Sequence, residues 1–171
     1  SAYNRDSFIQ GARAFLKKMP ENLPMAKPLA ALRERSQVLP VPILAPSKSP
    51  QPKGIKSAAP QRIVWNHRWE YDKNPDDFFA VLFALSDAEV SFELAVLGQR
   101  FRQAPAIFAE AEQRLATHIV AWGPQPEDAY RDLLDSADIV VSTTWHEFQG
   151  LAIMEAAQRG ALPLVPNRLC F

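Results

Sequence analysis

The sequence predicts an α/β fold, a doubly wound, parallel, Rossmann-like sheet behind an N-terminal helical and linker appendage. Three observations carry that prediction. From residue 61 onward, short apolar runs alternate with longer stretches of helical spacing. One run, Asp138–Ser142 (DIVVS), is apolar nearly throughout, as a parallel strand covered on both faces must be. The composition also changes near residue 60: ten Lys and Arg face three Asp and Glu before it, and nine face sixteen after it. A piece of charge +7 thus precedes a piece of charge −7, although the whole chain has no net charge.

In the first piece, residues 5–18 place Phe8, Ile9, Ala12, Phe15 and Leu16 at helical spacing, with Asp6 or Ser7 as a cap. Pro20, Pro24 and Pro28 then exclude regular structure until a short stretch near Leu29–Arg35. Val38 to Leu44 reads as an extended segment broken by Pro40 and Pro42, and residues 45–60 read as a linker. One helix and one broken segment cannot bury a core. Residues 1–60 are therefore expected to be the remnant of a preceding domain plus a Pro-rich linker.

In the second piece, Arg62–Trp65 is the first expected strand. Pro75 suits a first helical position, and the helix runs on through Asp76 to Leu85. Strands at Phe92–Leu97 and His118–Trp122 end at Gly98 and Gly123; helices at Pro105–Leu115 and Pro126–Ser136 follow them. After Asp138–Ser142 comes a helix from Leu151 to Arg159, closed by Gly160, and a last strand at Leu162–Val165. Such alternation argues for a parallel sheet with helices on both faces. The chain begins Ser-Ala and stops at Phe171 directly after the fifth strand, so a fragment is expected, with the 61–171 domain incomplete at its C-terminus.

Several classes are excluded. At 47% hydrophobic residues, the 171-residue chain is too apolar for disorder. It has no run of about 18 uncharged apolar residues to span a membrane, and no secretory signal pattern. A single cysteine, Cys170, excludes a disulfide framework and a Cys-based zinc site, and fits a reducing cytoplasm. A dehydrogenase would need G-x-G-x-x-G after its first strand, where Asn66-His67-Arg68-Trp69 stands instead. A basic stripe for RNA is absent from the acidic second piece.

Ligands of doubly wound sheets bind at the carboxyl ends of the strands. Gly98, Gly123 and Gly150 lie at or just after those ends. The segment Trp145 to Glu155 joins a buried strand to a helix, with Glu147 in the loop and Glu155 in the second helical turn. Free N–H groups near Gly150 and Leu151 favour an anion such as a diphosphate. Glu155 can accept from ribose hydroxyls and Glu147 from those of a sugar. After the first strand, Arg68 and Lys73 supply two cations, a diphosphate clamp. The plainer readings are solvated helix residue for Glu155, helix cap for Glu147, and surface ion pairs with Glu70, Asp72 and Asp76 for the cations.

Glu147 and Glu155 form E-x7-E within HEFQGLAIMEAAQRG. This resembles the nucleotide-sugar motif of retaining glycosyltransferases of family 4, which have the GT-B architecture of two Rossmann-like domains. Arg68 and Lys73 resemble that family's diphosphate-binding pair. The longer phrases WNHRWEYDKNPDDFF, FELAVLGQRF and ADIVVSTTWHEFQGLAIMEA resemble the tRNA-queuosine α-mannosyltransferase-like group. Gln149, before Gly150, departs from the family pattern.

The resemblance implies a C-terminal donor domain that, in the full-length protein, transfers mannose from GDP-mannose to queuosine in tRNA. The tRNA would be contacted mainly outside residues 61–171, and the catalytic histidine would lie in a missing N-terminal domain. His67, His118 and His146 are not assigned that role. Arg68 and Lys73 would stabilise the leaving group, Glu147 would hold the sugar, and Glu155 the ribose. Gly98, Gln99, Arg100, Trp122 and Gly123 would border the base. No D-x-D motif is present, so no metal is expected, and the donor is the only small molecule required. The alternatives are a non-catalytic nucleotide-binding module and a family member with another donor and acceptor.

Overall fold

The structure is a computed structural model that describes residues 1–20, 24–46, 59–100 and 103–171. It divides into two compact units. One comprises Ser1–Pro42 with Glu147–Gln149 and Arg168–Phe171; the other comprises Ile43–His146 with Gly150–Asn167. Residues 47–58, most of the expected linker, lie outside the described residues.

The smaller unit is built on helices α1 (Ala2–Leu16) and α2 (Ala26–Arg35), which pack together. The Ser1 side chain caps α1, accepting from Asn4 N, so the helix starts before Asp6 and Ser7. Pro28 does not delay α2. It is the third residue of the helix, where an N–H has no intrahelical partner to lose. The expected apolar stripe of α1 is buried only at Ile9; Phe8 and Phe15 are exposed. Two helices offer each other one face each, and Ile9 and Leu29 fill it.

The larger unit holds a five-stranded parallel sheet in the order β3-β2-β1-β4-β5. Its strands are β1 (Gln61–Trp65), β2 (Phe92–Leu97), β3 (Ile119–Gly123), β4 (Ile139–Val141) and β5 (Leu162–Leu164). Between them run α3 (Pro75–Asp87), α4 (Ile107–Arg114), α5 (Glu127–Ser136) and α6 (Leu151–Ala157). The chain steps outward from β1 to β3, then jumps back past β1 to β4. Right-handed crossovers therefore put α3 and α4 on one face and α5 and α6 on the other. Accordingly α3 packs with α4, and α5 with α6.

Strand alternation divides the core the same way. Ile63 and Trp65 of β1, with Leu94 and Val96 of β2, join Phe78, Phe79, Leu82 and Phe108 in one apolar cluster. Val64, in register with Ala95 and Val140, points to the opposite face. His118, expected inside a strand, lies in the turn before β3. Its ring stacks on Phe92 at 4.0 Å, and its Nδ1 is 3.0 Å from the Phe92 carbonyl oxygen, so it acts as a packing residue.

Candidate functional site

The order reverses between β1 and β4, which makes their carboxyl ends the switch point of the sheet. Two loops leave there, residues 66–74 after β1 and 142–146 after β4. They are stitched together. Trp145 N donates to Asp72 O at 2.7 Å. The Thr143 hydroxyl bonds to the carbonyls of Lys73 and Asn74 at 3.0 and 2.7 Å, and the Thr144 hydroxyl to that of Asp72 at 3.0 Å. Asn74 adopts a left-handed conformation (φ 52°) between a 3-10 turn at Tyr71–Lys73 and the start of α3, a conformation Asn tolerates.

The two expected cations differ. Arg68 keeps 56% of its side chain exposed and pairs with Glu70 at 3.0 Å. Lys73 keeps 10% and lies 3.3 Å from Asp72 Oδ2. Its ammonium donates to the His146 carbonyl at 2.9 Å, so Lys73 also fastens one loop to the other.

On its other side, the 66–74 loop continues the β1–β2 pairing past the strand ends. Trp69 N donates to Gln99 O at 3.1 Å, and Trp69 bridges to Arg100. Gly98 makes this approach possible. A Cβ there would sit 2.1 Å from the His67 carbonyl oxygen, and its φ of 114° is one that L side chains rarely adopt. Trp122 packs against Trp69 at 5.3 Å and belongs to the margin of the apolar cluster. Gly123 follows it with φ 82°, and a Cβ added there would meet no atom of the described residues within 4 Å.

Helix α6 starts at Leu151 with Gly150 (φ 77°) as its N-cap. Glu155, in the second turn, accepts a 2.8 Å hydrogen bond from the Tyr130 hydroxyl of α5. Asn66, the first residue after β1, donates to Tyr130 Oη at 3.1 Å and to Ala152 O at 2.9 Å. Asn66 is buried, and among the described residues its Oδ1 has no hydrogen-bond partner. Burial, the largest influence, pushes the Tyr130 phenol well above its usual value; Asn66 works against this and Glu155 adds to it.

Arg68, Lys73, Gln99, Arg100 and Glu155 are thus joined through one loop, 66–74. Glu147 is described within the smaller unit. There Glu147 Oε1 accepts from Phe148 N at 3.0 Å, and Asn4 donates to Phe148 O. Gln149 pairs its side-chain amide with both backbone groups of Val41, each at 2.8 Å. The cap of α6 is Gly150, so the helix-cap reading of Glu147 falls away. Sequence reasoning missed Tyr130, Asn66, Thr143 and Thr144. Asn66, Thr143 and Thr144 act through partners more than 60 residues away, and Tyr130 reaches Glu155 across 25, which no local pattern signals.

Among the described residues, no group of three or more His, Cys, Asp or Glu could hold a metal ion. No described helix is long and apolar enough to cross a membrane.

No family model matches the chain. Over its full length it is 29% identical to the tRNA-queuosine alpha-mannosyltransferase of Drosophila melanogaster, in an alignment of 178 residues covering 47% of that protein. By sequence the chain is similar to a glycosyltransferase. The chain spans about half the length of this curated relative. Among solved structures, the pneumococcal O-GlcNAc transferase GtfA, in complex with UDP and GlcNAc, matches with a TM-score of 0.55 at 14% identity, over 84% of this chain and 29% of that one. WaaG, a glycosyltransferase involved in lipopolysaccharide biosynthesis, matches at 0.50 and 20% identity, over 65% and 29%. At these identities the structures speak to the fold alone. The resemblance read from the Glu147–Glu155 motif and the longer phrases is borne out, and so is the Rossmann-like fold seen in GT-B glycosyltransferases.

Proposed function

We propose that this chain is the donor-binding part of a retaining glycosyltransferase that, at full length, transfers mannose from GDP-mannose to queuosine in tRNA. Likeness to the fly enzyme over the whole chain supports the choice of substrates. One observation carries the donor site: the Glu155 carboxylate, held by Tyr130 and Asn66 beside the switch point of the sheet. Glu155 accepts from the ribose hydroxyls. Arg68 meets the diphosphate directly, and Lys73 adds its charge from within the loop. The start of α6, at Gly150 and Leu151, completes the anion site. The residues 98–100 and 122–123 border the base.

Retention here needs no enzyme nucleophile. The departing diphosphate is stabilised electrostatically as an oxocarbenium-like sugar forms, so fixed positive charge is the main catalytic provision. We assign no metal and no cofactor beyond the donor, and a cytoplasmic setting. The tRNA is contacted mainly outside residues 61–171.

Titrating the 171-residue chain with GDP-mannose, UDP-GlcNAc and each free diphosphate tests the donor. GDP-mannose should bind more tightly than UDP-GlcNAc, and preference for the uridine donor would overturn the GDP assignment. Transfer of labelled mannose to queuosine-containing tRNA by the full-length protein tests the acceptor. Labelling that is equal on tRNA lacking queuosine would overturn it.

A further inference from the structure

We propose that Tyr130 is a positioning residue for nucleotide recognition: its hydroxyl, directed by Asn66, fixes the carboxylate of Glu155 in the orientation that receives the donor's ribose. The proposal rests on the donor-site reading of Glu155.

The three side chains form a hydrogen-bond chain with one direction. Asn66 Nδ2 donates to Tyr130 Oη at 3.1 Å, which occupies a lone pair of that oxygen. The hydroxyl proton is then left to donate to Glu155 Oε2, at 2.8 Å. A hydrogen bond to an ionised acceptor is among the stronger kinds, and it selects one carboxylate rotamer. The same Asn66 amide also donates to Ala152 O, in the first turn of α6, at 2.9 Å. Asn66 therefore references both Glu155 and the helix that carries it to the end of β1.

The arrangement is costly in a way that a plain helix-to-helix tie is not. Asn66 is 8% exposed, and its Oδ1 is buried with no hydrogen-bond partner among the described residues. Both of its N–H groups are spent on Tyr130 and Ala152, and the acceptor is left over. An apolar contact would join α5 to α6 without burying an amide. Apolar packing alone, however, cannot fix the direction of a carboxylate. A phenol is protonated at neutral pH in any case, and burial moves Tyr130 further from titrating, so its hydroxyl is a donor there. Glu155 thus keeps its other oxygen for a ligand, in a fixed geometry, before any ligand arrives. Preorganisation of this kind raises affinity by removing the cost of ordering the side chain on binding.

The test uses the 171-residue chain, with GDP and dideoxy-GDP as probes, and the variants Tyr130→Phe and Glu155→Ala. Tyr130→Phe keeps the ring and removes only the hydroxyl. It should weaken GDP binding about threefold to tenfold, the equilibrium weight of one ordinary hydrogen bond. It should leave dideoxy-GDP binding unchanged, because that probe lacks the hydroxyls Glu155 receives. In the Glu155→Ala background it should cost nothing further. If Glu155→Ala weakens GDP and Tyr130→Phe does not, the positioning role is overturned while the donor site stands. Equal weakening of both probes by Tyr130→Phe would mean a general structural lesion and would also overturn it. If Glu155→Ala leaves GDP binding intact, the donor-site reading of Glu155 fails and this proposal fails with it.

Discussion

The titration of Tyr130 ties a single residue to the stability of the whole protein. Burial raises its phenol above the ordinary value of 10.0, and the Glu155 carboxylate adds to that rise, while Asn66 and Arg159 oppose it. The folded chain then holds this proton to higher pH than the unfolded chain does. Between the two pKa values the unfolded state binds fewer protons, so stability falls as pH rises. The contribution is complete below pH 10.0 and is lost progressively above it. Tyr130→Phe should flatten that alkaline decline in melting temperature; a variant declining as steeply as the parent would exclude Tyr130 as its source. Arg68 is the other residue with a sharp expectation. Half-exposed and paired with Glu70, it contributes little to folding. In the full-length enzyme, Arg68→Ala should lower turnover about 10²–10³-fold, the usual consequence of losing one preorganised charge donor. Unchanged turnover at saturating donor, with an unchanged melting temperature, would make it a surface ion-pair residue only.

Among the elements, the ends of β1 and β2 show how closely the site depends on backbone. The loop after β1 is gripped by Gln99 and Arg100 on one side and by Thr143, Thr144 and Trp145 on the other. Gly98 is the point where the first grip leaves no room. A Cβ there meets the His67 carbonyl oxygen at 2.1 Å, and backbone on both sides limits relaxation. Gly98→Ala combines a left-handed φ with that overlap, so it should cost about 3 kcal/mol. This corresponds to a fall in melting temperature on the order of 10 °C. Calorimetry on the purified variant checks this; a loss within about 1 °C would mean the loop yields easily. Gly123 provides the contrast, since no atom of the described residues lies within 4 Å of its added Cβ. There only the positive φ opposes a side chain, and Gly123→Asn should be milder than Gly98→Ala by about 1–2 kcal/mol.

For the molecule as a whole, the fact that matters most is its length against that of its relative. The chain aligns end to end with 47% of the fly enzyme. If the donor site lies in the larger unit and the acceptor is recognised elsewhere, binding and chemistry can be separated. The isolated chain should then bind GDP in the high-micromolar to millimolar range, about −4 to −6 kcal/mol, and transfer no sugar. Sugar transfer to any acceptor by the purified 171-residue chain would contradict this division.

The elements of the larger unit were legible in the sequence because each rests on local causes. Apolar runs such as FELAVL and DIVVS set the strands; Pro75 starts α3, and Gly98 and Gly123 mark the strand ends. Strand and helix boundaries agree to within a residue or two, which is the scatter expected where ends fray. Alternation with short connections was enough to specify a parallel sheet, because parallel neighbours require crossovers. The smaller unit was read less well. Pro28 resembles a breaker by composition, yet its position in the first turn makes it harmless. The apolar stripe of α1 predicts burial that one partner helix cannot supply at Phe8 and Phe15.

The site divides along the same line. Residue types, spacing and the family resemblance put Glu155, Arg68 and Lys73 forward as candidates. Which of them is exposed, and what holds each, depended on the tertiary structure. Lys73 is buried because the loop after β4 folds over it and presents the His146 carbonyl. Glu155 gains a partner because the reversal of strand order brings α5 and α6 together on one face, with Asn66 beneath them. Hydrogen bonds between residues 25, 64 and 86 positions apart leave no periodic trace, because their geometry exists only after the sheet has assembled.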